Sequence, residues 1–129
     1  MIRVQQDDFD MGAELKRLTG GCTDMGAVAS FLGLVRNDDG SLKALSLEHY
    51  PGMTEHALLA LEAEAHRRWP VADITIIHHF GRLAPGEQIV LVAVLASPRL
   101  SEIRLAVRSS LEAKATRTWQ LSRIELLGP

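Results

Sequence analysis

Residues 45–80, LSLEHYPGMTEHALLALEAEAHRRWPVADITIIHHF, change their hydrophobic period twice, and that change decides the fold class. Ala57, Leu58, Leu61 and Ala65 recur at three- and four-residue steps, so an amphipathic helix is predicted over Glu55–Trp69, with Thr54 preceding it. Pro70 stops it, because proline supplies no amide hydrogen to continue the ladder. The next apolar run, ITIIHHF (74–80), is β-branched and too short for a helix, and reads as a strand.

Downstream, RLAPGEQ (82–88) supplies a turn and IVLVAVLA (89–96) a second buried strand. In SPRLSEIRLAVRSSLEAKA (97–115) the helical period returns, with Ile103, Ala106, Val107 and Leu111 on one side. Upstream, Met11, Leu15 and Leu18 take helical spacing between a capping Asp10 and the stop at Gly20-Gly21. GAVASFLGLV (26–35) reads as a buried strand. Beyond the Asn37–Gly40 turn, Leu42, Ala44 and Ser46 alternate with Lys43, Leu45 and Leu47, as in a strand forming a hairpin with it. The expected architecture is α+β, one domain over residues 1–129, with an antiparallel sheet of at least four strands and about three helices.

Composition narrows the function classes. Fourteen Lys and Arg against sixteen Asp and Glu leave a formal charge of -2, which provides no basic field for nucleic acid. One cysteine, Cys22, excludes an intrachain disulfide and a thiolate-rich metal centre, and suits a reducing, cytoplasmic compartment. The start, MIRVQQDDFDMG, is acidic where a signal peptide is basic, and no apolar run reaches the ~20 residues of a membrane span, so a chain neither secreted nor embedded is expected.

Of five histidines, His78 and His79 adjoin on a strand and face opposite ways, while His56 and His66 are widely spaced on the helix; no metal site is expected. Phosphate loops of the GxGxxG and GxxxxGK[ST] types and a GxSxG elbow are absent. Cys22 has no base near it in sequence, so a structural or exposed thiol is the expected role.

Three cations stand near predicted strand ends or on the last helix. Arg36 follows the first strand, Arg99 follows the last, and Lys114 lies along the edge of the closing helix's apolar stripe. Arginine grips phosphate through a bidentate fork and lysine can lose its proton, so the set suits a small anionic substrate if antiparallel strand ends meet. From spacing alone, two solvated arginines and a lysine snorkelling at a helix C-terminus are equally ordinary.

GAVASFLGLVRN (26–37), LSLEHYPGMTEHALLALEAEAHRRWP (45–70) and ITIIHHFGRLAPGEQIVLVAV (74–94) together resemble the large subunit of the molybdopterin synthase family. LEHYPGMTE is the most specific string, since no helix or strand periodicity generates it. The resemblance implies an α/β-hammerhead-type fold and a homodimer of large subunits carrying a small ubiquitin-like subunit at each end. It implies that the small subunit's Gly-Gly C-terminus, as a thiocarboxylate, delivers sulfur to cyclic pyranopterin monophosphate, giving the dithiolene molybdopterin. No cofactor is implied for the chain itself.

By the same resemblance Arg36 binds the substrate's phosphate or pterin, with Leu34 and Val35 replacing a Lys-Val pair before it. Arg99 matches the arginine of a Ser-Ala-His-Arg segment in which Pro98 stands for the histidine. Lys114 falls on the catalytic lysine, and the position of a second active-site lysine is taken by Gln120 or Leu121 after Trp119. From Pro98 onward the chain departs from the family pattern. A noncatalytic subunit that keeps the dimer and partner surfaces is therefore the alternative expectation.

Overall fold

A computed structural model of the chain describes residues 1–97 and 122–128. In chain order its elements are β1 (Ile2–Gln5), α1 (Met11–Thr19), β2 (Ala27–Leu34), β3 (Ala44–His49), α2 (Met53–Arg68), β4 (Val71–His79), β5 (Gly81–Leu83), β6 (Gln88–Ala96) and β7 (Ser122–Leu127). They build two sheets, one ordered β1-β4-β6-β2 and one ordered β5-β3-β7. The α+β class is borne out. Two of the expected helices are α1 and α2; nearly all of the third, at 97–115, lies outside the described residues.

Both helices follow the sequence closely. Asp10 caps α1, its Oδ1 accepting from Ala13 N–H at 2.7 Å. Helix α2 starts at Met53, two residues before the expected Glu55, because Glu55 turns back and its Oε2 accepts from Gly52 N–H at 2.8 Å. Gly52 holds φ 81°, a left-handed conformation that costs glycine nothing. Thr54 is thereby drawn inside the helix and buried.

The apolar runs of β4 and β6 are continuous because both faces are covered. Leu58 and Ala65 of α2 pack on Ile74, Ile76, Val92 and Val94. Alternate residues point the other way, where Leu18 of α1 meets Ala93 and Leu95, and Phe9 meets Ile77 and Leu91. A separate cluster of Val35, Leu45, Leu47 and Leu83 fills the second sheet.

Three sequence expectations need correction. Strand β1 runs parallel to β4, with Ile2 opposite Ile76, so the first sheet is mixed rather than antiparallel. Strands β2 and β3 form no hairpin. β2 pairs along its length with β6, from Ala27 opposite Ala96 to Leu34 opposite Gln88, while β3 pairs with β5 and β7. The longer apolar partner wins, because β6 gives β2 a full ladder. At Val35 the chain leaves the sheet: Val35 N–H donates to Glu87 O at 2.9 Å and Gly86 N–H donates to Val35 O at 2.8 Å. Finally, among the described strands β2 lies at the edge of its sheet rather than buried, exposing Val28, Phe31 and Leu34.

The β1–α1 contact carries a pH dependence. The Glu14 side chain is only 12% exposed and is ion-paired with Arg3 and Arg17. Burial opposes its ionisation, but the hydrogen bonds from Arg3 and Arg17 outweigh it and hold the carboxyl below its ordinary value. A depressed carboxylate pKa stabilises the fold above the unfolded-state value and loses that contribution as pH falls through the folded-state value. Urea unfolding measured from neutrality into the acidic range should therefore show a smaller acid-induced loss for Glu14→Gln than for the parent. Equal losses would mean that the pair is not linked to folding.

Candidate functional site

Arg36 stands where β2 ends, and its backbone is held on both sides. Before it, Val35 is buried and clamped by the two bonds to the Gly86-Glu87 turn. After it, Asn37 brackets the next turn: its Nδ2 donates to Leu42 O at 3.2 Å and its Oδ1 accepts from Leu42 N–H at 3.1 Å. The Arg36 side chain is 83% exposed, with Nε 3.0 Å from Asp38 Oδ2. A rigid base thus presents a solvated guanidinium.

Just upstream, the register of β2 against β6 shifts between Gly33 and Leu34. A Cβ on Gly33 would lie 2.7 Å from Val90 Cγ1, and valine's stiff χ1 cannot swing that methyl away. Glycine is required at this irregularity, which aims the strand end carrying Arg36. Sequence reading passed over Gly33, Asn37, Asp38 and Gly86; the legible signals were a glycine inside an apolar strand and an Asn-Asp-Asp-Gly turn.

The other expected site residues divide clearly. Leu34 is exposed beside Arg36, whereas the Val35 side chain packs into the second-sheet core, so it supports Arg36 from within. Pro98, Arg99, Lys114 and Gln120 lie outside the described residues. The premise that adjacent strand ends bring Arg36 and Arg99 together is overturned by the register. Strands β2 and β6 are antiparallel, so β6 ends at Ala96 beside Ala27, the start of β2. At ~3.3 Å per residue that is roughly 23 Å from Leu34. Any joining of Arg36 with Arg99 and Lys114 rests on the path of residues 98–121 or on a second copy of the chain.

The histidines have varied surroundings. His79 is buried, its ring nitrogens 2.7 Å from Gln88 O and 2.9 Å from Gln6 O, tying β4 to β6 and to the segment after β1. His78 is also buried, while His56 and His66 are exposed on α2. His49 packs on Phe80 with ring centroids 3.9 Å apart, and its Nε2 is 3.7 Å from Glu55 Oε1. That pair borders a shallow hollow of about 310 Å³ lined also by Gln6, Ser46, Leu47, Glu48 and Gly81, which does not include Arg36. Cys22 is exposed. No helix among the described residues is long and apolar enough to cross a membrane.

The chain is 48% identical over 105 residues to a molybdopterin synthase catalytic subunit of Mesorhizobium japonicum, a match covering 81% of this chain and 66% of that one. It is 51% identical over 100 residues to the protein of that name from Ralstonia nicotianae, covering 76% of this chain and 57% of the relative. The matched stretches thus span less than two-thirds of these relatives' lengths. Among solved structures, the molybdopterin cofactor biosynthesis protein E of Burkholderia multivorans superposes with a TM-score of 0.79 at 45% identity, covering 88% of this chain and 74% of that one. The model of the family described as MoaE protein matches residues 4–113, and the chain belongs to that family.

Proposed function

We propose that the chain is the catalytic subunit of a molybdopterin synthase. In this reading it takes sulfur from the thiocarboxylated Gly-Gly terminus of a small ubiquitin-like partner and places it on cyclic pyranopterin monophosphate. It works as a single domain in the cytoplasm, as a homodimer with one small subunit at each end, and needs no cofactor of its own. The observation that carries the reading is identity near one-half, over about 100 residues, to proteins named as catalytic subunits.

In the proposed site Arg36 and Arg99 hold the anionic pterin, and Leu34, Val35, Pro98 and Gln120 are the further substrate-binding positions that the resemblance marks. Lys114 serves the chemical step, moving protons or forming a transient covalent link. The reaction is tested by mixing the chain with thiocarboxylated partner and precursor and measuring molybdopterin. Arg36→Ala should weaken precursor binding by about 1–3 kcal/mol, roughly 5- to 150-fold in Kd, for loss of a charge-assisted contact. A calorimetric titration showing unchanged affinity would remove Arg36 from the site.

Gln120 in place of a second lysine favours one other reading, a noncatalytic subunit that still docks the partner. Co-elution with the partner but no product on adding precursor would establish it.

A further inference from the structure

Each polar side chain of the turn that follows Arg36 has its own task. Asn37 holds Leu42 through both ends of its carboxamide. Asp39 Oδ1 accepts from Ser41 N–H at 3.0 Å and from Ser41 Oγ at 2.6 Å. Asp38 alone turns back to Arg36, with 3.0 Å between its Oδ2 and Nε. The side chains of Arg36 and Asp38 are 83% and 67% exposed, and a pair so solvated adds little to folding stability.

We propose that Asp38 is a positioning residue for Arg36, holding the guanidinium by its Nε edge so that the terminal Nη fork faces the incoming anion. This rests on the substrate-binding role of Arg36 given above and adds how that role is prepared. An acceptor at Nε lies to the side of the guanidinium, whereas a phosphate or carboxylate taken end-on uses the two Nη groups. The two contacts are compatible. An arginine on a clamped backbone still has four side-chain torsions to order on binding, and ordering one long side chain in advance is worth about two- to tenfold in affinity.

A carboxylate so near the site also repels an anion. At ~6 Å through water two unit charges weaken binding about threefold, and less once salt screens them. The two effects of Asp38 therefore oppose each other, and they separate by substitution. Asn at this position keeps an oxygen acceptor for Nε and removes the charge, whereas Ala removes both.

The test is calorimetric titration of the full chain with cyclic pyranopterin monophosphate for Asp38→Asn, Asp38→Ala and Arg36→Ala, and for each Asp38 variant combined with Arg36→Ala. Asp38→Asn should bind as tightly as the parent or up to about threefold tighter. Asp38→Ala should bind about two- to tenfold more weakly than Asp38→Asn, and that difference should vanish when Arg36 is absent. In turnover the same difference should appear in KM and leave kcat unchanged. Equal affinities for the Asn and Ala variants would overturn the proposal while leaving the role of Arg36 intact, and so would a difference that survives loss of Arg36. Parental affinity in Arg36→Ala itself would instead overturn the substrate-binding reading beneath it.

Discussion

Lys114→Ala is expected to cut molybdopterin formation by about 10²–10⁴-fold, the usual contribution of a positioned proton-transfer group, or further if the amine bonds covalently to an intermediate. The expectation comes from the resemblance, which places the family's catalytic lysine at this position. The family match itself covers residues 4–113 and ends one residue before Lys114, so the variant is the direct test. Sulfur reaches the site on the partner's terminus in this scheme, which is why a chain whose one cysteine is exposed and isolated can serve. Measuring product from thiocarboxylated partner and precursor checks the rate. Co-elution of partner with the variant checks that the docking surface is intact. Parental turnover by Lys114→Ala would end the assignment, and Cys22→Ser should be silent in the same assay.

The second large effect concerns stability. Leu91 is fully buried on the central strand β6, opposite Leu32 on β2 and Ile77 on β4, and it packs with Phe9. Leu91→Ala removes contacts to both neighbouring strands and to Phe9 at once and leaves a void that strands paired on both sides cannot collapse to fill. A loss of about 3 kcal/mol follows, since buried Leu→Ala changes span roughly 2–5 kcal/mol. For a chain of 129 residues this is a fall of roughly 10 °C in melting temperature. Leu59→Ala is the control: Leu59 is 52% exposed on α2, and its loss should cost no more than about 0.5 kcal/mol. Similar melting temperatures for the two variants would show that the row across β2, β6 and β4 is not the tightly packed centre of the sheet.

Local pattern carried much of the fold. Asp10 is the cap of α1, the steps Ala57, Leu58, Leu61 and Ala65 set the inner face of α2, and the unbroken apolar run after Gln88 marks a strand covered on both sides. Short elements were harder to see. β1 has four residues and β5 three, too few for a period to show, and both owe their strand geometry to the neighbour that supplies hydrogen bonds. The candidate site was legible in its residue types but not in its arrangement. Arg36 could be singled out as a cation at a strand end; that Asp38 meets its Nε, and that Gly86 and Glu87 clamp the residue before it, involves partners set by folding.

The cap and stop of α1, the face each helix buries and the longer strands β2, β3, β4 and β6 were dictated by the chain, because capping and period act over a few neighbouring residues. Its family was equally legible in strings such as LEHYPGMTE. Which strands pair was settled in three dimensions. A strand takes the partner that completes its ladder and buries its apolar side, so β2 joined β6, more than fifty residues away in sequence, and not β3 across the adjacent turn. That choice carries the end of β6 to the far end of the sheet from Arg36, because antiparallel neighbours end at opposite edges.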